Sequence, residues 1–465
     1  MNKKIMSSTT IYSSLLERIK EKIKKDRKNF AILTKALEEN DCFTAEKIIN
    51  ELNAYSLKES EINNLTLAPL FFLDTFITEK EKYFKFYKKA QQLFINGEYV
   101  PEFFFAGAAT RMKRGTMWGM DFWEIAKDNG VLPPPYALSG IGLGPRQLFQ
   151  YKIKLITLAK NFSKSTEEVL ANQKIVLHIN DQIEREVVKF LQQTKFLGFL
   201  PQNIILLVQP CLPLFSIEDS EIKVAPPSLN LPAGHGYATE QLAKPREAYT
   251  IVDGKKVVIN SSVLNYLLKN NAKIMGTHRI NDLTRLGDEI VNLNKLAFSL
   301  YLIEKGYNII VELVENPTGQ KGGVFLKDKR NNKVFLLEGL NTNTPLLEKK
   351  LGELTSEIQK QGFNGIPYNA FRHIYNILEL KKLLKNKLPA SIRIRKCINN
   401  KIYLQIELVT GDITRENSAK VAGFMKKGEF IKDFKQIEDI NIGEKFIKEQ
   451  DNNKQFRRLV TLINY

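Results

Sequence analysis

The chain has 465 residues, of which 43% are hydrophobic and 26% charged, with a formal net charge of +18. That length suits about two or three domains around a large buried core. No run reaches the ~18 apolar residues needed to cross a bilayer, and Lys3 and Lys4 lead into polar Ser7-Ser8-Thr9-Thr10 rather than the apolar stretch of a signal peptide. A transmembrane segment is not expected, and a cytoplasmic chain is. Cys42, Cys211 and Cys397 lie too far apart for a metal pattern or a disulfide framework. The positive charge suits anionic partners (nucleotides, nucleic acid or an acidic membrane), or else it only decorates solvated faces. The excess is diffuse, though residues 1–30 are richest, with nine Lys/Arg against three Asp/Glu. No zinc finger, helix-turn-helix or aromatic RNA-binding signature occurs, so nucleic acid is not an expected partner.

Residues 1–98 read as a helical region. Leu15, Leu16, Ile19 and Ile23 fall at helical spacing, Phe30 to Leu52 repeats the pattern, and Thr44 opens a segment with a cap-like start. The basic first helix is a cap, a partner surface or a membrane attachment. From residue 99 short apolar runs alternate with helical patterns. The runs are Phe103–Ala106, Ile175–Ile179, Ile204–Val208, Ile274–Gly276, Ile309–Val314 and Val334–Leu337, with helices over Gln182–Gln193 and Leu293–Glu304. Such alternation predicts an α/β domain with a mainly parallel sheet over residues 99–385. Its ligand sites belong in the loops that follow the strands. A helix is predicted over Phe371–Lys385. Beyond it, residues 386–465 are expected to form a small α+β domain, with Ser391–Lys396 and Lys401–Leu408 paired across an Asn399-Asn400 turn.

Four segments stand out in order. Phe104-Phe105-Ala106-Gly107-Ala108-Ala109-Thr110-Arg111-Met112 follows a strand and is built of small residues, which let backbone N–H donors approach a polyphosphate. Gly144-Pro145-Arg146 leads into a helix. Gln209-Pro210-Cys211-Leu212-Pro213 follows another strand, and Pro232-Ala233-Gly234-His235-Gly236 precedes Glu240-Gln241-Leu242. Taken singly, each also fits a tight packing turn or a loop. The stretch Gly115–Leu138, with Trp118, Trp123 and Pro133-Pro134-Pro135, reads as a lid or a packing flap.

In this order the segments resemble the UDP-sugar pyrophosphorylases, which join UTP and a sugar 1-phosphate into a UDP-sugar and pyrophosphate. The resemblance covers roughly residues 99–425 and implies a Rossmann-like, glycosyltransferase-A-like nucleotidyltransferase core. It makes residues 106–112 the phosphate loop. There the family has Gly-Gly-x-Gly-Thr-x-Met/Leu, and this chain keeps Gly107, Thr110 and Met112, has Ala108 and Arg111 at variable places, and carries Ala106 and Ala109 in place of glycine. It implies that Arg146 stands where a family lysine contacts the phosphates, with Arg111 and Lys396 as further cations. Gln209 would face the uracil, and Gly234, His235 and Gly236 would rim the nucleotide. Arg279-Ile280-Asn281-Asp282-Leu283 occupies the place of the family's Asp-Asn-Leu motif, with Asp282 the candidate Mg²⁺ ligand. Lys321, in Gly319-Gln320-Lys321-Gly322-Gly323, is a candidate phosphate or sugar contact, and Gln405–Gly411 resembles a segment of the UDP-glucose branch. Three functions follow: a uridylyltransferase, a relative that binds a nucleotide or nucleotide-sugar without making it, and a basic interaction protein on the same scaffold.

Overall fold

The computed structural model describes residues 8–53, 57, 59–107, 118–218, 221–279, 288–315, 323–338, 345–398, 401–428 and 440–462. It opens with α1 (Ser8–Lys25), α2 (Arg27–Glu38) and α3 (Cys42–Leu52). The expected Phe30–Leu52 pattern is two helices. Asp26 and Asp41 cap them by accepting from the backbone N–H groups of Asn29 and Thr44, which otherwise lack acceptors. Tyr12, Leu15 and Ile19 are buried, so the apolar face of α1 packs inside the protein and is not offered to a membrane. The rest of the N-terminal region departs from the all-helical expectation. After α4 (Glu59–Ile62) come two short strands, β1 (Leu65–Leu67) and β2 (Leu70–Phe72), then α5 (Leu73–Thr78) and α6 (Lys80–Ile95).

The central region runs β3 (Tyr99–Phe104), α7 (Phe122–Asp128), α8 (Leu143–Asn161), α9 (Thr166–Asn172), β4 (Ile175–Asn180), α10 (Glu184–Gln193) and β5 (Ile204–Gln209). It continues with β6 (Cys211–Leu212), β7 (Phe215–Glu218), β8 (Glu221–Val224), β9 (Leu231–Pro232), α11 (His235–Gln241), β10 (Ala248–Val252), β11 (Lys255–Val258), α12 (Val263–Lys269) and β12 (Ile274–Arg279). Then follow α13 (Leu293–Glu304), β13 (Ile309–Val314), β14 (Val324–Asp328), β15 (Lys333–Leu337), α14 (Pro345–Lys360), β16 (Tyr368–Asn376) and α15 (Ile377–Leu383). The chain closes with β17 (Ser391–Ile398), β18 (Lys401–Glu407), β19 (Val421–Met425), α16 (Ile440–Asn452) and α17 (Lys454–Val460).

The large sheet has the order β11-β10-β5-β4-β3-β12-β16-β13-β19-β2. Strands β5, β4, β3 and β12 are parallel neighbours, and every residue of β3 and β4 is buried, as expected where helices cover both faces. One correction concerns residues 371–385. The helix begins only at Ile377; Phe371 to Asn376 belong to β16, which runs antiparallel between β12 and β13. Pairing also crosses both expected domain boundaries. Strand β2 pairs with β19 and β1 with β14, while β17 and β18 join β7 and β8 in a second, four-stranded sheet.

Two apolar layers flank the large sheet. Phe103, Leu177, Leu206 and Ile310 point into one, with α6, α8, α10, α13 and the C-terminal helices. Val100, Val176, Leu207 and Val311 point into the other, which holds the N-terminal helices and the smaller sheet. One buried charged triad links α13, β13 and β16. The Lys295 ammonium lies 3.0 Å from Glu312 Oε1, and an Arg372 guanidinium nitrogen lies 3.4 Å from Glu312 Oε2. Glu312→Ala should leave two buried cations facing each other and cost about 3–5 kcal/mol, read as a lower urea midpoint. An unchanged midpoint would show that solvent reaches the triad.

Candidate functional site

The carboxyl ends of β3, β4, β5 and β12 lie side by side, and the candidate segments leave from them. At the end of β3, the Ala106 carbonyl accepts from Asn180 Nδ2 at 2.9 Å, and Asn180 Oδ1 accepts from the backbone N–H groups of Gln182 and Ile183. Asn180 thus ties the exit of β3 to the start of α10. Gly107 is exposed and is the last described residue before 118. Ala108, Ala109, Thr110, Arg111, Asp282 and Lys321 lie outside the described residues. So does the side chain of Lys396, whose backbone is on β17.

Gln209, at the end of β5, donates from Nε2 to the Gly234 carbonyl at 2.9 Å and is buried. It holds the next segment in place. That segment begins at Gly234, whose φ of +91° is costly for any residue with a Cβ. A Cβ there would stand 2.5 Å from the Leu408 carbonyl oxygen, and one at Gly236 would stand 2.5 Å from the Val409 nitrogen. The backbones of 233–236 and 408–410 therefore meet directly. Gly236 N–H donates to the Leu408 carbonyl, Leu408 N–H to the Ala233 carbonyl, and Thr410 N–H to His235 Nδ1, each at 2.9–3.0 Å. Since Nδ1 accepts, the proton of a neutral His235 sits on Nε2. Helix α11 begins at His235, so the ring belongs to its first turn.

An aromatic layer underlies His235. Its ring meets Phe371 edge-on at 4.5 Å, Phe371 meets Phe104 at 5.3 Å, and Phe104 stacks on His178 at 4.7 Å. The half-buried Arg279, the last residue of β12, lays its guanidinium over Phe371 at 4.4 Å. Beneath, the buried His373 has one ring nitrogen 2.9 Å from the Tyr375 hydroxyl and the other 3.2 Å from Asn369 Oδ1. Burial, reinforced by the positive charge of Arg279, holds this imidazole down at about 3. Glu338 sits close by, its carboxyl raised by burial against the opposing pull of Arg279 and Arg393. Its Oε1 is buried without a hydrogen-bond partner among the described residues. Gly411 makes room for it, since a Cβ there would lie 2.0 Å from Glu338 Oε1.

Arg146 is corrected most sharply. It does not lead into α8 but lies in its first turn, wholly buried. Its guanidinium lies 2.7 Å from Asp451 Oδ1 and donates to the Leu138 carbonyl, also at 2.7 Å. Asp451 neutralises the charge expected to clamp phosphates. The flap reading holds for the described part of 115–138, because Trp118 and Trp123 are both buried. Among the residues that meet at these strand ends, Phe371 and Glu338 were not foreseen. Phe371 was hidden by the helix expected across it, and Glu338 is far in sequence from the segments it meets. Thr410 and Gly411 both lie inside the Gln405–Gly411 segment, whose partner the sequence did not reveal.

No family model and no curated protein matches the sequence. Solved structures do. The chain is similar to UDP-N-acetylglucosamine pyrophosphorylase from Trypanosoma brucei, solved with an inhibitor, at 13% identity and a TM-score of 0.58, over 95% of this chain and 85% of that one. It is similar to UDP-glucose phosphorylase from the same organism at 15% identity and a TM-score of 0.55, over 89% and 77%. It is also similar to a mutant UDP-glucose pyrophosphorylase from Leishmania major, solved with UDP-glucose, at 13% identity and a TM-score of 0.55, over 89% and 78%. The fold is thus that of the UDP-sugar pyrophosphorylases.

Two measurements test this geometry. Gly236→Ala should lower the melting temperature by several degrees, because the methyl meets backbone that cannot turn aside; an unchanged value would mean that the contact with Val409 yields. The second follows from His373. Unfolded, it takes up a proton below about 6.5; folded, only near 3. Its contribution is therefore present above 6.5 and lost as pH falls toward 3, at no more than ~1.4 kcal/mol per pH unit. Urea midpoints at pH 7.5 and 5 should fall less in His373→Gln than in the wild type.

Proposed function

We propose that the chain is a nucleotidyltransferase that forms a UDP-sugar and pyrophosphate from UTP and a sugar 1-phosphate. The observation that carries the reading is the convergence of Gln209, Gly234–Gly236 and Thr410 at the carboxyl ends of the parallel strands, beside Arg279. The foreseen turn Pro232–Gly236 and the end of β18 meet there, in the fold that the solved structures share. In the proposed reaction the sugar-phosphate oxygen bonds to the α-phosphorus of UTP in line, and the bond to the β-phosphate oxygen breaks to release pyrophosphate. Such transfer needs positioning and charge neutralisation rather than a covalent intermediate.

Ala106 to Thr110 are the proposed phosphate loop, with Arg111, Lys321 and Lys396 as proposed cations. Arg279 takes the place first given to Arg146, because it is half-buried at a strand end and faces the aromatic layer. The orphan acceptor Glu338 Oε1 suits a hydroxyl-bearing ligand. Asp282 offers the carboxylate oxygen that Mg²⁺ takes, and Mg²⁺, when bound, would neutralise phosphate charge. Among the described residues no group of three or more His, Cys, Asp or Glu stands together to hold a metal.

A second reading, a protein that binds the nucleotide or nucleotide-sugar without turning it over, is favoured by the locked Arg146 and by Ala106 in place of glycine. Pyrophosphate release from a panel of nucleoside triphosphates and sugar 1-phosphates separates the two. UTP or a UDP-sugar should raise the melting temperature by mass action, ATP less. His235→Ala should weaken UTP binding while the protein stays folded, and Arg279→Ala should lower turnover by ~10²-fold. No thermal shift with any nucleotide at millimolar concentration would overturn both readings.

A further inference from the structure

A second buried polar junction lies outside the cleft, on the C-terminal helices. Asp451, in the last turn of α16, is fully buried. Its Oδ1 pairs with Arg146, and its Oδ2 accepts from the Trp123 indole N–H at 2.6 Å and from the Leu138 backbone N–H at 3.0 Å. Arg146 in turn donates to the carbonyls of Leu138 and Ile141 and lies over the Phe456 ring of α17 at 5.5 Å. Arg457 reaches from α17 to the Tyr136 carbonyl. One carboxylate thus fixes three separate pieces of chain: α7, the 131–142 segment and the first turn of α8.

Those pieces lead to the cleft. Trp118, which follows the proposed phosphate loop, packs on Phe105, which precedes it, with ring centres 5.0 Å apart. Gly144 closes over Trp118 so tightly that a Cβ would stand 2.1 Å from the indole. Gln147, one residue after Arg146, donates to the Arg279 carbonyl at 2.8 Å. An apolar pair at 146 and 451 could fill the space at similar stability. It could not tie the Trp123 indole N–H and the Leu138 backbone N–H to one point.

We propose that Asp451 is a positioning residue for the nucleotide cleft, holding Phe105, Trp118 and Arg279 in register from the C-terminal helices. This rests on the nucleotide reading above. The experiment titrates the full chain with UTP alone, by calorimetry and by the emission of Trp118 and Trp123, the two tryptophans of the chain. The variants are Asp451→Asn, the double apolar exchange Arg146→Met with Asp451→Leu, and Trp123→Phe. Wild type should bind UTP with a change in emission. Asp451→Asn should bind about 10-fold more weakly, and the double variant, freed of an unpaired charge, should be folded yet equally weak. If either fails to fold, Trp123→Phe, which loses one bond at Asp451, decides by a severalfold loss of affinity. Wild-type affinity in every folded variant would overturn the role of Asp451. Failure of the wild type to bind UTP would instead overturn the nucleotide reading itself.

Discussion

Where the turn at Gly234–Gly236 meets Leu408 and Val409, two backbones come closer than any side chain allows, and the cleft depends on that contact. The approach lets two main-chain hydrogen bonds, and a third from the Thr410 N–H to the His235 ring, cross between segments that belong to different sheets. The turn hangs from β5 through Gln209, and its partner ends β18 of the smaller sheet. Without glycine at both positions the two sheets could not close on each other here, and His235 would lose the donor that fixes its tautomer. The rigidity is local and made mostly of backbone.

The same contact explains what could be read ahead of the structure. Parallel strands buried on both faces announce themselves as unbroken apolar runs, and β4, β5 and β13 fell where those runs lie. Helix α13 has the bounds its pattern predicted, Leu293–Glu304. Strand β16 was missed because it is no unbroken apolar run. It is buried yet carries Asn369, Arg372 and His373, while Phe371, Ile374, Ile377 and Leu378 fall at helical spacing, so periodicity pointed to a helix. The Gly-His-Gly turn was legible because its chemistry is local. Thr410 is 175 residues from His235 and Asp451 is 305 from Arg146, and no local pattern encodes a partner at that distance.

Charge was legible only as a total. The basic first helix suggested a surface for anions. Yet Arg18 turns inward to Glu240, 2.9 Å away and almost fully buried, and to the Leu388 carbonyl. Glu240 lies on α11, one turn and a half beyond His235, and also accepts from the Leu388 N–H. The N-terminal helix is therefore braced, through Arg18, against the helix that carries the glycine turn.

Arg146 shows how burial decides between roles that sequence leaves equal. A guanidinium that moved from Asp451 to a phosphate would strand a carboxylate in the interior, at a cost of about 3–5 kcal/mol. A charge-assisted bond to phosphate returns about 1.5–3 kcal/mol net, less than the junction would lose. The interior pairing therefore wins, and the cation facing any phosphate has to come from elsewhere. Arg279, proposed above for that role, ends a central parallel strand, lies half-buried over Phe371, and has its carbonyl held by Gln147, the neighbour of Arg146. The locked arginine still acts on the cleft, because fixing Arg146 fixes the turn of α8 from which Gln147 reaches Arg279.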